Sequence, residues 1–297
     1  MKKLILAVAA AALLLACTSD KPVSVKLNKY KLALDKGETV TLTATVEPAN
    51  SGAALEWASS DVSVATVEGG IVTGVAAGMA GITVQAGDKQ AVCKITVRDP
   101  LAVASVDLGL PSGLKWAACN VGASSPEEYG DYYGWGETEL NSSYDWDDYA
   151  LCNGSSSSMT KYNTNSSCGV VDNKTVLDAD DDVARVKLGG KWRIPTIDEW
   201  TELQTVCTWT WTTVNGVNGE LVTGPGGKSI FLPAAGTRFR TDLYRDNFEG
   251  NYWSSNLFTD SPTFSYYLYF NPGGYYRSNA TRRDGFSVRA VTDQAGV

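Results

Sequence analysis

Hydrophobic and polar residues follow three different patterns along this 297-residue chain. Leu4 to Ala16 is an unbroken apolar run behind Met1-Lys2-Lys3, and it stops at Cys17. Thirteen residues fall short of the roughly 20 that cross a hydrocarbon core, so the run predicts a cleaved secretory signal rather than a span. From Val23 onward short alternating stretches are separated by turn signals: Val23–Leu27, Val40–Val46, Leu55–Ala58, Ala65–Val67, Ile71–Val75, Ile82–Val84 and Val92–Val97. Val40, Leu42, Ala44 and Val46 interleave with threonines, and Cys93, Ile95 and Val97 interleave with Lys94 and Thr96, so each strand has one face to bury. About seven short strands over residues 22–98 predict a β-sandwich, with Cys93 an inert core thiol.

The pattern changes after about residue 104. Glycine-rich strand and loop chemistry dominates, interrupted by two helical stretches. Acids from Asp178 to Asp182 precede Val183-Ala184-Arg185-Val186 and suit a helix N-terminus. Thr196 with Glu199 forms a capping-box pattern, followed by Trp200, Leu203 and Cys207 on one helical face. From Ile230 the chain returns to strand and turn. Aromatic residues divide in the same place, since Tyr30 and Trp57 are the only ones before Val97. Two domains follow, 22–98 and 104–294.

Charge and chemistry remove several function classes. The net charge is −8, and losing Lys2 and Lys3 with a signal makes it more negative, which argues against nucleic acid. There is no histidine, so no Ser-His-Asp triad, Cys-His pair or His-ligated zinc can form. Besides Cys17 there are cysteines at 93, 119, 152, 168 and 207, with no C-x-x-C spacing. Cys152 and Cys168 bracket Asn153–Ser167, and a disulfide there would close a loop of about 15 residues, contributing ~3 kcal/mol in the chain-entropy model. Asp145-Trp146-Asp147-Asp148 and Asp180-Asp181-Asp182 could gather a cation, but a solvated loop and a helix start account for them better. No cofactor or metal is expected.

Three family resemblances sharpen this outline. Leu14-Leu15-Ala16-Cys17 resembles the lipobox of bacterial lipoproteins, which implies a signal peptide over residues 1–16 and acylation of Cys17; two or three chains at about 0.8 kcal/mol per buried methylene anchor stably. Leu55-Glu56-Trp57-Ala58-Ser59-Ser60-Asp61, Val64-Ala65-Thr66-Val67, Gly70-Ile71-Val72-Thr73-Gly74-Val75 and Gly81-Ile82-Thr83-Val84 resemble the bacterial immunoglobulin-like group 2 family (BIG2). That resemblance implies an Ig-like sandwich with Trp57 in the core, used as a spacer or adhesion module. Trp192-Arg193-Ile194-Pro195-Thr196, Leu232-Pro233-Ala234-Ala235-Gly236, Tyr252-Trp253-Ser254-Ser255 and Gly285-Phe286-Ser287-Val288-Arg289 resemble the Fibrobacter succinogenes major paralogous domain, a relative of the C-type-lectin-like fold. It implies an α+β domain in which two helices pack on small antiparallel sheets, the first and last strands pair and a long loop region carries the ligand site, with Asn141–Ser167 a variable insertion. Calcium-mediated sugar binding is not expected, because Glu-Pro-Asn and Gln-Pro-Asp are absent and Trp253-Ser254-Ser255 stands where that fold carries Trp-Asn-Asp.

Within the C-terminal stretch, alternation sends Tyr266, Leu268 and Phe270 one way and Tyr267, Tyr269 and Asn271 the other. The second set, with Tyr276, Ser278, Asn279, Arg283 and Asp284, supplies the Tyr, Ser, Asn and Arg mixture of adaptable binding surfaces. The same tail looks like the hypervariable ends of C-type-lectin-fold proteins diversified by retroelements; an ordinary Tyr-rich surface is the competing reading. The expectation is a non-catalytic, lipid-anchored surface protein, an adhesin or ligand-binding protein of the cell envelope, probing a protein or glycan on another cell or host surface from the outer membrane. A structural envelope component is the alternative, and an enzyme of the formylglycine-generating fold class a further one, although Cys119, Cys168 and Cys207 do not match that class's reactive pair.

Overall fold

The computed structural model describes residues 21–100 and 102–293. The expected signal segment and Cys17 lie outside the described residues. Among those described, no helix is long and apolar enough to cross a membrane.

The first domain is built of β1 (Ser24–Leu27), β2 (Lys31–Asp35), β3 (Thr39–Thr41), β4 (Ala44–Glu47), β5 (Glu56–Ser59), β6 (Ala65–Glu68), β7 (Ile71–Gly74), β8 (Gly78–Ala86) and β9 (Lys89–Arg98). One sheet runs β2-β9-β8-β5, a second β3-β7-β6, and β1 pairs with β4. Alternation sets the core as expected: Ile82, Val84, Cys93, Ile95 and Val97 are buried together with Leu27, Leu34, Leu42 and Val72. Burial pushes the Cys93 thiol up, which keeps it protonated and inert. Three details differ from expectation. Val40–Val46 is not one strand, because β3 joins β7 while β4 joins β1. At the crossover Leu42 N–H donates to the Gly70 carbonyl and Thr43 N–H to Asn28 Oδ1. β2 is an additional strand, recruited parallel to β9. Trp57 is half-buried against the edge of the apolar cluster rather than enclosed by it.

The second domain contains β10 (Ser105–Asp107), β11 (Lys115–Ala117), α1 (Val183–Leu188), α2 (Ile197–Val206), β12 (Thr208–Val214), β13 (Val217–Thr223), β14 (Ser229–Pro233), β15 (Thr237–Phe239), β16 (Asp242–Tyr244), β17 (Gly250–Leu257), β18 (Phe264–Asn271), β19 (Gly274–Thr281) and β20 (Val291–Thr292). Both helix starts match their sequence signals. Asp182 caps α1 by accepting from Arg185 N–H, and Thr196 with Glu199 forms the complete capping box of α2. Trp200 and Leu203 are buried, with Cys207 half-buried beside them. Burial pushes the Cys207 thiol up to about 11. The terminal strands share a sheet, order β10-β11-β20, but both lie against β11 and not against each other.

Two aromatic clusters fill this domain. One joins Trp116, Trp200, Tyr252, Leu268 and Phe270, with the Trp116 and Trp200 rings 4.6 Å apart; the other joins Trp135, Trp192, Trp253 and Phe286. The sheet β17-β18-β19 lies between them, so each of its faces meets a core.

The expected Cys152–Cys168 disulfide is not formed; both thiols are free. Met159 separates them, bridging to Cys152 on one side and to Gly169 on the other. Two strand spacings, ~9–10 Å, put the cysteines beyond disulfide reach. What holds this long segment is Arg282, which is fully buried. Its guanidinium donates to Tyr149 Oη and to the carbonyls of Tyr162, Pro262 and Lys161, and lies 4.9 Å from the Trp135 ring centre.

The domains meet through a polar clasp. Arg98, at the end of β9, donates from Nη1 to the Arg185 and Val186 carbonyls of α1 and pairs through Nε with Asp35 at 2.7 Å. Asp35 Oδ2 accepts from Gly190 N–H at 2.6 Å, and Trp192 Nε1 donates to the Pro100 carbonyl. Gly189, at φ +76°, permits this approach, since a Cβ there would collide with the Asp35 carboxylate.

Candidate functional site

Register decides which expected site residues share a face. In the β17-β18-β19 sheet, Asn251 lies beside Tyr269 and Tyr269 beside Tyr276, while Trp253 lies beside Tyr267 and Tyr267 beside Ser278. Side chains of directly paired residues point the same way, so Tyr267, Tyr269, Asn271, Tyr276 and Ser278 occupy one face. Asn279 pairs with Tyr266 and is exposed on the opposite face, apart from the others. That opposite face buries Leu268 and Phe270, with Tyr252 and Phe270 stacked at 5.8 Å.

Depth grades the shared face. Tyr267 is half-buried, its ring 4.8 Å from Phe286 and 6.1 Å from Trp253, and burial pushes its phenol up. It serves more as a floor than as an open contact. Tyr269 is half-buried too, and its hydroxyl donates to Glu249 Oε1 at 2.8 Å while accepting from Asn271 Nδ2 at 2.8 Å. Burial and then that bond to Glu249 push the Tyr269 phenol up to about 12. Glu249 is held in turn by Arg245 at 2.6 Å. Tyr276 is 55% exposed, its ring 4.8 Å from the Tyr269 ring. The outermost aromatic therefore rests on a second whose hydroxyl is fixed by a carboxylate.

Arg283 and Asp284 follow the strand and belong to a different cluster. Arg283 pairs with Asp145 and lies over two rings, Phe239 at 4.8 Å and Trp146 at 5.5 Å. Asp145 is shared with Arg240 at 3.1 Å. Arg283 Nε and Asp284 Oδ1 are 3.9 Å apart, and burial pushes the Asp284 carboxyl up. Nearby, a cleft of about 270 Å³ opens between Arg238, Arg240, Tyr132, Tyr144 and Asn141. Among the described residues no group of three or more Cys, Asp or Glu side chains is placed to hold a metal ion. Asp145 is committed to arginines, Asp181 to Lys161 and Tyr162, and Asp182 to the α1 cap.

Glu249, Arg245, Asp145, Trp146 and Phe239 organise this surface although none was expected at it. Arg238-Phe239-Arg240, an aromatic between two cations, and Arg245 with Glu249, an ion pair four residues apart, carried local signals. The rest depends on contacts between residues far apart in sequence.

Comparison with known proteins identifies one of the two domains. No curated protein matches the chain. Among solved structures, domains 4 and 5 of the S-layer protein SbsC align at 22% identity over 26% of this chain and 53% of that one, with a TM-score of 0.23. SbsC domains 5–6 align at 14% identity over 88% of this chain and 98% of that one, with a TM-score of 0.24. The chain thus spans about half the length of the first of these structures, and scores of this size do not establish a shared fold. Residues 21–97 match the bacterial Ig-like domain (group 2) family, in accord with the β-sandwich of β1–β9.

Proposed function

We propose that this chain is a non-catalytic cell-surface lipoprotein, anchored through Cys17, whose Ig-like domain serves as a stalk for a C-type-lectin-like domain that binds a protein or glycan. The observation that carries this reading is the Tyr276–Tyr269–Glu249 stack. Tyrosine offers wide amphipathic contact with few torsions to freeze, and here its partner ring is already fixed. Asn271 and Ser278 add hydrogen-bonding groups on the same face. The Arg283–Phe239–Trp146 cluster adds a second aromatic and cationic area, of the composition that dominates interface energetics. Raised thiols at Cys119 and Cys207 speak against cysteine chemistry of the formylglycine-generating kind. A non-catalytic reading also suits the absence of histidine.

The whole protein, displayed on cells, is to be tested against glycan arrays, matrix proteins and partner-cell surfaces, with and without chelator. Tyr276→Ala should weaken capture by about tenfold or more, because truncation removes an exposed aromatic anchor. Unchanged capture would move the site elsewhere, and loss with chelator would reinstate a metal-dependent mode. Cys17→Ser should abolish acylation, and protease shaving of intact cells should remove the aromatic domain if it faces outward. A template repeat beside the gene, differing at adenines, would mark the C-terminal tail as diversified; its absence would remove that idea.

A further inference from the structure

Arg238, in β15, is fixed through its backbone: its N–H donates to the Gly285 carbonyl at 2.9 Å, and its carbonyl accepts from Gly285 N–H at 2.8 Å. The residue is half-buried, with its guanidinium 5.2 Å from the centre of the Tyr132 ring. Neighbouring cations have partners. Arg240 and Arg283 share Asp145, Arg245 holds Glu249, and Arg282 and Arg289 are spent on carbonyls. Among the described residues the Arg238 guanidinium has no acceptor within hydrogen-bond distance and no carboxylate within ion-pair distance. A guanidinium over a ring keeps its five donors, which lie in its own plane. Half out of water, they suit an acceptor that brings two charged oxygens.

Arg238 lines the cleft of about 270 Å³ together with Tyr132, Tyr144, Asn141, Ser142 and Asp131. The aromatic walls offer no donor, since Tyr132 Oη donates to the Ala235 carbonyl and Tyr144 Oη to the Tyr132 carbonyl. Asn141 donates to Glu137, which leaves its amide oxygen free to accept. Asp131 adds a carboxylate, held by Tyr133 Oη at 3.2 Å. Gly122, at φ +83°, makes room for it, because a Cβ there would collide with that carboxylate. The cleft thus sets one unpaired cation beside several acceptors. Asp131 and Leu140 also line a second cleft of about 500 Å³ that reaches Lys187 and Glu139.

We infer that the Arg238 cleft is a subsite for an acidic sugar residue, its carboxylate held by the Arg238 fork and its hydroxyls donating to Asp131 and Asn141. This gives the glycan branch of the proposed function a chemistry, and it rests on that reading only in taking the chain to be a binding protein. A carboxylate matches the fork in shape and charge. Hydroxyls match the acceptors on the walls, whereas an acidic peptide side chain brings none. Phosphorylated or heavily sulfated ligands fit less well, because Asp131 lines the cleft and Asp145 sits on Arg240 beside it, in a chain of net charge −8. Drug-sized pockets begin at about 300 Å³, so this cleft takes a single ring. The adjoining cleft leaves space for the next residue of a glycan.

The whole chain is to be titrated with methyl glucuronide, with the methyl glycoside of N-acetylneuraminic acid and with neutral methyl glucoside, binding being read by saturation-transfer NMR. At least one acidic glycoside should bind with a Kd of about 1 mM, and the neutral one about tenfold more weakly. Whichever acid binds better tells whether a uronic or a sialic ring is the source of the carboxylate. Arg238→Gln should cost tenfold or more in affinity, and Arg238→Lys nearly as much, because an ammonium lacks the fork. Arg277→Gln, at an exposed arginine of β19, should bind like the wild type. Near-UV circular dichroism should be unchanged in all three variants, which separates lost binding from lost folding. The inference fails if neither acidic glycoside binds at about ten times that concentration, if methyl glucoside binds equally well, or if Arg238→Gln binds undiminished. Tighter binding of glucose 6-phosphate or of N-acetylglutamate would overturn it in favour of a phosphate or an acidic peptide. Failure of the Tyr276 face would show separately, as unchanged capture by Tyr276→Ala with acidic-sugar binding intact.

Discussion

The two domains solve the problem of filling an interior in opposite ways. The Ig-like domain buries aliphatic side chains from alternating strands; Ser51 is its one buried polar residue among those described. The second domain buries Glu137, Asp182, Glu220, Arg282 and Arg289, together with several asparagines, serines and tryptophans. Ladders saturate the backbone in the first, so little polar chemistry has to go inside. Long irregular stretches in the second leave carbonyls without a ladder, and buried cations satisfy them. Arg289 repeats the device of Arg282, donating to the carbonyls of Ala117, Ala118 and Phe231 and to Asn120 Oδ1.

Substitution should expose this contrast most sharply at Arg282. Arg282→Ala strands several buried acceptors at once and should cost the second domain about 3–5 kcal/mol, followed by near-UV circular dichroism in a denaturant series. If the cost were under 1 kcal/mol, the cation would not be what pins the stretch from Tyr149 to Tyr162. An aliphatic truncation is the matching test of the first domain. Ile82→Ala removes a fully buried side chain and should cost about 3 kcal/mol as transfer and cavity terms add. The tryptophan-rich near-UV spectrum of the second domain should stay unchanged.

Glu220 gives a pH-dependent version of the comparison. It is 4% exposed, Oε2 has no hydrogen-bond partner, and burial pushes its carboxyl from 4.5 up to about 7. The folded protein then holds this proton more tightly than the unfolded chain does. Stability from the group is complete below about pH 4.5 and is lost as pH rises to about 7. Glu220→Gln should therefore be more stable than the wild type by about 3 kcal/mol at pH 8 and equal to it at pH 4. A difference that did not vary with pH would show that titration is not its source. The smallest effect is local: Thr196→Ala removes the α2 cap and should cost about 1 kcal/mol in the same denaturant series, while Thr205→Ala, near the helix end, should change little.

The first domain was largely legible in sequence because its determinants repeat every two residues. Cys93, Ile95 and Val97 announce their burial by spacing alone. Helix caps were legible for the same reason, since Asp182 and Thr196 act within four residues of themselves. β2 escaped notice because its short apolar pattern gains meaning only beside β9. The tyrosine face of β18 and β19 was half legible. Alternation placed Tyr267, Tyr269 and Asn271 together, but assigning Asn279 to the far face required the register of β18 against β19. Asp145 reads in sequence only as a loop acid, because its arginine partners are 95 and 138 residues away, and Glu249 shows only its local pair with Arg245, the tyrosine that it fixes lying 20 residues on. The Cys152–Cys168 pairing failed on a related point: proximity in sequence says nothing about Met159, which passes between.

The clasp of Asp35 and Arg98 on the end of α1 has a mechanical consequence. Two domains on a free linker sample many relative orientations. Here Arg98, Asp35 and Trp192 tie them together through several bonds at once, so the heading of the Tyr276 face relative to the Ig-like domain is set by folding. Tension applied at that face would pass into β9 through a guanidinium seated on two carbonyls.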